Sequence, residues 1–175
     1  METILLIVGL AVGLLVAAWV DVRAGRIPNW LTFPLASFGL LVHTVNNGWD
    51  GLVFSFSGLF LGMGFLMFFY IKGGMGAGDV KLLGAIGAIV GPLHVFYAFA
   101  FAAILGGLYS LAMMMMLGGM RQTWERVLVL FTTLKVTKSM PAAPNVGVAE
   151  PKLRYALVLG LGTVITQTLF FYGML

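Results

Sequence analysis

Cysteine is absent from the 175-residue chain. That excludes disulfides, thiolate-bound metals, iron–sulfur clusters and a cysteine nucleophile together. Charge is nearly as scarce. Charged residues make up 9% of the sequence against 61% hydrophobic, and the mean hydropathy is +1.04. A soluble domain is about a quarter charged, so this chain lacks the polar groups to cover a globule in water. The same composition excludes intrinsic disorder. Only two histidines are present, His43 and His94, and neither sits in an HExxH pattern, which removes that zinc-protease plan. What remains is a chain of one-domain length with the composition of a bilayer protein.

Six apolar runs account for most of the sequence: 4–20, 31–45, 52–71, 80–90, 93–117 and 153–172. Glu2 precedes the first, with no Lys or Arg, so it reads as a retained helix and not as a secretory signal. Asn46-Asn47-Gly48-Trp49-Asp50-Gly51 predicts a tight turn, with Trp49 suited to the membrane interface. Pro34 falls in the first turn of the second run, where proline is tolerated. Gly91-Pro92 divides a stretch too long for one span. The run 80–90 is the shortest and barely crosses a bilayer.

The basic residues test this layout. Ten Lys and Arg against six Asp and Glu give a net charge of +4. In a soluble protein that excess would point to nucleic acid. Here Arg23, Arg26, Lys72, Lys81, Arg121, Arg126, Lys135, Lys138, Lys152 and Arg154 all fall on one side of a six-helix layout. The other side has Glu2 and Asp50 alone. Positive residues mark the cytoplasm, so both termini are expected outside. Fusing 80–117 into one helix would move six basic residues across, so the charge pattern supports the break at Pro92.

Between the fifth and sixth runs, Trp124, Val127, Leu128, Phe131 and Leu134 share one face at helical spacing, with Arg121, Glu125, Lys135 and Lys138 off it. A basic amphipathic helix over about 121–138 fits, either lying in the membrane surface or packing on the bundle. The expected fold is therefore an all-α integral membrane domain over 1–175, with six transmembrane helices and an amphipathic helix on the cytoplasmic side.

Six carboxylates are few enough to weigh singly. Glu2, Asp50, Glu125 and Glu150 lie in termini or loops, where a solvated charge is the default. Asp21 ends the first helix at the cytoplasmic face, and Asp79 begins the fourth at that same face. An ionisable group at membrane depth costs a few kcal/mol (about 2.5–3.5 at the centre of a span) and is a functional candidate for that reason. Taken alone, Asp79 reads as a helix N-cap and Asp21 as a partner of Arg23 or Arg26. Taken together, and with Gly76 and Gly78 just before Asp79, they read as a site. Glycine lets another backbone approach closely, as a peptide substrate must.

Two facing carboxylates support aspartic proteolysis. They share a proton because both cannot easily ionise at short range. The ionised one takes a proton from water, and the water attacks the peptide carbonyl. The protonated one hydrogen-bonds the carbonyl oxygen and then helps protonate the leaving amine. No metal or cofactor is needed. A serine–histidine site is a poorer fit, since Ser55-Phe56-Ser57-Gly58 lacks the glycine two positions before Ser57. The Gly9/Gly13, Gly58/Gly62 and Gly87/Gly91 spacings read as helix-packing motifs.

These residues resemble a known family. Asp21 followed by Arg26-Ile27-Pro28-Asn29-Trp30-Leu31-Thr32 is similar to the first motif of type IV prepilin peptidases. Gly76-Ala77-Gly78-Asp79-Val80-Lys81-Leu82 is similar to their second. The resemblance covers roughly the first two-thirds of the chain and implies a GxGD-type aspartic peptidase of the bacterial inner membrane, related to archaeal preflagellin peptidases. It implies Asp21 and Asp79 as the catalytic pair, and pilin-like precursors as partners. Their short basic leaders would be removed at the cytoplasmic edge. Gly76 and Gly78 would give backbone access. Arg23, Arg26 and Lys81 would position the precursor or a carboxylate, or only mark the cytoplasmic side. Pro28 and Asn29 would shape the turn into the second helix.

Larger bacterial members of that family carry a cysteine-containing domain that N-methylates the product. With no cysteine here, neither methyl transfer nor zinc nor S-adenosylmethionine is expected. The short form resembles the peptidases of tight-adherence (Flp-type) pilus systems. The alternative is a proton- or cation-coupled transporter using the Asp pair as its ion site. A third possibility is a non-catalytic assembly subunit, which would not need both aspartates.

Overall fold

The computed structural model describes residues 2–72, 75–116 and 155–174, all in helices or the short turns between them. The amphipathic helix expected over 121–138 lies outside the described residues. Residues 1–106 with 154–175 form one compact unit, and 107–153 form a second, whose described part is the C-terminal end of the fourth helix. All packing below is within the first unit.

Helix α1 spans Glu2–Ala24. It runs a turn beyond the apolar stretch, so Asp21 is inside the helix. Gly25 ends it, at φ 61, with its N–H donating to the Asp21 carbonyl oxygen at 2.9 Å. Leu10, Leu14, Ala17 and Asp21 recur at helical spacing and form its buried stripe.

Helix α2 spans Asn29–Ile71, and its regularity fails at Gly48 (φ 58, ψ −132). A straight helix of 43 residues would be about 64 Å long, twice the hydrocarbon thickness. Gly48 reverses it. A side chain at Gly51 would run into the His43 carbonyl, a contact that no straight helix could bring about. The turn expected over Asn46–Gly51 is thus narrower than its composition implied, with one glycine leaving the helical range. Beginning at Asn29 also puts Pro34 beyond the first turn.

Helix α3 spans Ala77–Val90, only 14 residues and about 21 Å. Val80 and every residue from Leu82 to Val90 are buried. The neighbours show why. The limb of α2 before Gly48 runs parallel to α3, since Asn29 meets Lys81 and His43 meets Ile89. The limb after it runs antiparallel, since Gly62 faces Leu83, Gly58 faces Gly87 and Ser55 reaches Ala88. α3 is a core helix wrapped by a hairpin, which removes the need to match the bilayer thickness. At Gly58 and Gly87 the backbones touch, so neither position has room for a side chain.

Helix α4 spans Pro92–Met116 and starts directly after Gly91. Helix α5 spans Tyr155–Phe171. Phe65 stacks on Phe99 of α4 at 4.8 Å, and Gly162 of α5 packs on the Ala98 carbonyl. α5 returns antiparallel to α1, with Gly160 against Leu14. α1, α2 and α4 each hold a stretch long and apolar enough to cross a membrane, and α5 is a shorter apolar helix.

His43 is buried, 8% exposed, with Nε2 at 2.8 Å from the Ile89 carbonyl oxygen. The hairpin places it against α3, and a ring buried there must find a hydrogen-bond partner. His94 is half-buried against Phe170, ring centroids 4.0 Å apart.

Candidate active site

The site is built where α1 ends, α2 begins and α3 begins. Asp21 is 7% exposed and lies on the same stripe as Leu14 and Ala17, so its carboxylate faces the protein. Its Oδ2 accepts a hydrogen bond from the Ala156 backbone N–H at 3.3 Å. Asp79 is half-buried in the first turn of α3. It is not the N-cap of that helix, the role it would have had if read alone. Gly76 occupies the N-cap, with φ −77 and ψ 145, because α3 begins earlier than the apolar run. Its position in the first turn is one where the helix dipole favours a carboxylate.

Two contacts tie the segment after Asp21 to the turn that carries Asp79. The first is a backbone approach. A Cβ on Gly78 would lie 2.9 Å from the Ile27 carbonyl oxygen and 3.1 Å from the Ile27 nitrogen. Ile27 itself is buried, so the connection between α1 and α2 rests in the space a side chain would fill. The second is polar. Lys81 Nζ donates to Asn29 Oδ1 at 2.9 Å, with the ammonium also 5.5 Å from the centre of the Phe33 ring. Pro28 caps α2 in an extended conformation, and its carbonyl accepts from the Leu31 N–H at 3.2 Å.

The remaining sequence-nominated residues divide. A Cβ on Gly76 would sit 3.1 Å from Asp79 Oδ2, so this glycine borders the carboxylate. Arg23 is exposed and stacks its guanidinium on Trp19 at 4.1 Å. Arg26 is exposed. Among the described residues no three His, Asp or Glu side chains gather as a metal site. A cavity of about 490 Å³ lined by His43, Asn47, Asp50, Gly51 and Phe54 lies at the Gly48 reversal, at the far end of the first limb of α2 from Asn29.

Sequence reasoning missed Ile27 as the partner of Gly78, and Ala156 as the partner of Asp21. Ile27 stands inside the motif, yet an apolar residue among polar ones gives no hint that its backbone is what matters. Ala156 contributes only a main-chain N–H, which no side-chain pattern encodes.

A family model for the type IV leader peptidase family matches residues 8–111, a stretch that includes both aspartates and both ties between them. The chain belongs to the type IV leader peptidase family. Its members are proteases, and with its long apolar helices this one is a membrane protein. Neither a curated protein nor a solved structure matches the chain significantly. The family match ends within α4, so Ala156 and the rest of α5 lie outside it.

Proposed function

We propose that this peptidase is an aspartic endopeptidase that removes the short leader of type IV pilin-like precursors at the cytoplasmic face of the membrane. Asp21 and Asp79 are its catalytic pair. The observation that carries this reading is the double tie, Ile27 on Gly78 and Asn29 on Lys81, which joins the segments bearing the two aspartates. The family match over the same residues supports it.

In this reading the precursor's apolar helix stays in the bilayer with its basic leader in the cytoplasm, so the scissile bond arrives at the edge where α1 ends and α3 begins. One carboxylate draws a proton from water while the other, protonated, holds the peptide carbonyl oxygen. The C–N bond then breaks as the amine takes up a proton. The positive-inside pattern supports that side as cytoplasmic. Six spans follow if the two limbs of α2 each cross and α3 counts as one. The single domain, the inner-membrane location, the outward termini and a role in a tight-adherence (Flp-type) pilus system belong to the same proposal. So do Arg26 as a contact for the precursor and the absence of methyl transfer.

The transporter reading needs polar groups leading away from the aspartates. The hydroxyls of Thr44, Thr163, Thr166 and Thr168 instead donate to carbonyls four residues back in their own helices. The serine–histidine reading fares no better, because Ser57 donates to the Phe54 carbonyl and His43 is engaged with Ile89.

The test is leader cleavage of a co-expressed pilin-like precursor by wild type, Asp21→Asn and Asp79→Asn. Asparagine keeps size and polarity but cannot share the proton. Folded but inactive variants beside an active wild type are the expected result. Cleavage by both variants would remove the aspartic mechanism. A wild type that cleaves no pilin-like precursor would bring the transporter reading forward.

A further inference from the structure

Asp21 is a buried carboxylate, and a buried carboxylate needs donors. One of them comes from an unexpected place. Ala156 is the second residue of α5 and is fully buried. A backbone N–H in the first turn of a helix has no acceptor within that helix. Here it points at Asp21 Oδ2, 3.3 Å away and 135 positions distant in sequence. Leu14, two turns before Asp21 in α1, lies beside Gly160, one turn after Ala156, so the same two helices run side by side in antiparallel register. The bond therefore belongs to an antiparallel helix pair and not to a loop.

We infer that the Ala156 backbone N–H is a positioning group for the Asp21 carboxylate, which makes α5 part of the catalytic apparatus. The inference rests on the reading of Asp21 as a catalytic carboxylate. With Oδ2 committed to α5, rotation of the carboxylate about its Cβ–Cγ bond is restrained and its other oxygen keeps a constant direction. A peptidase that activates a water needs that constancy, because small misplacements of a reacting group cost large factors in rate. The family match stops before α5, so this contact adds to the site a residue that the shared motifs do not contain.

The test uses the full-length protein in detergent or liposomes. Ala156→Pro removes the N–H at a first-turn position where proline is tolerated. Tyr155→Pro introduces proline one residue earlier and leaves the Ala156 N–H in place. Ala156→Pro is expected to lower kcat by about 10- to 100-fold with KM unchanged, while Tyr155→Pro stays near wild type. The second readout is independent of activity. Hydrogen exchange at the Ala156 amide is expected to be slow in wild type and in Asp21→Asn, which keeps an acceptor oxygen, and fast in Asp21→Ala. Wild-type kcat in Ala156→Pro, or slow exchange persisting in Asp21→Ala, overturns the inference. If Ala156→Pro does not fold, the exchange measurement decides alone. If Asp21→Asn still cleaves, the catalytic reading fails, and exchange still reports whether α5 holds Asp21.

Discussion

Lys81 Nζ donates to Asn29 Oδ1 at 2.9 Å across 52 positions of sequence. Asn29 opens α2, and Lys81 lies two residues after Asp79 in α3. The bond joins the two motif-bearing segments through side chains whose loss would not empty the core. Lys81→Met keeps the length of the side chain and removes the donor. Asn29→Ala removes the acceptor. Each is expected to lower precursor cleavage by about 3- to 30-fold. The double variant should be no worse than the poorer single one, since both remove one interaction. Kinetics of leader cleavage on all four proteins check this. Additive losses would mean that the two residues act separately.

The two glycines before Asp79 should fail differently. On Gly78 a methyl would push against the Ile27 backbone, which cannot yield by rotating a side chain. Gly78→Ala is expected to destabilise the fold by about 1–3 kcal/mol and to abolish most cleavage. On Gly76 the obstruction is Asp79 Oδ2, which can rotate away. Gly76→Ala should therefore keep its melting temperature and lose cleavage. Thermal unfolding measured beside activity separates the two.

Gly58 and Gly87 touch backbone to backbone, about two turns along α3 from Asp79. Alanine at either position forces the limb of α2 away from the core helix. A loss of about 1–3 kcal/mol in stability is expected for each. Activity per folded molecule should be unchanged. Thermal unfolding in detergent with quantified active fraction is the measurement.

His43 is a pin between α2 and α3, its Nε2 engaged with the Ile89 carbonyl. His43→Ala would leave that carbonyl without its partner, at a cost of about 1–3 kcal/mol. Cleavage by the folded fraction should match wild type. A folded, inactive His43→Ala would reopen a role for the imidazole in the reaction.

The legible part of this protein was set by composition and spacing. The scarcity of charge placed it in a bilayer, because too little polar surface exists for water. The apolar runs located α1, α4 and α5 to within a few residues, since a helix that satisfies its own backbone is what lipid permits. Asp21, Asp79 and the glycines between them were conspicuous as rare polar or small groups at helix ends. The extent of α2 and α3 was less legible. Helices extend past the ends of an apolar run, as α1 does to Ala24 and α3 does back to Ala77, so Asp79 lies within the first turn and not at the cap.

Tertiary structure decided the rest. Gly78 looked like a place for a substrate backbone, and its space is taken by Ile27. The reversal of α2 buried His43 against α3. Lys81 could have faced lipid headgroups or a carboxylate, and it reaches Asn29. The partner of Asp21 is a main-chain N–H of α5. These outcomes share a physical reason. Local sequence dictates where a helix forms and which face is apolar, but close backbone approaches depend on which helices meet, at what register, and only packing of the whole chain sets that.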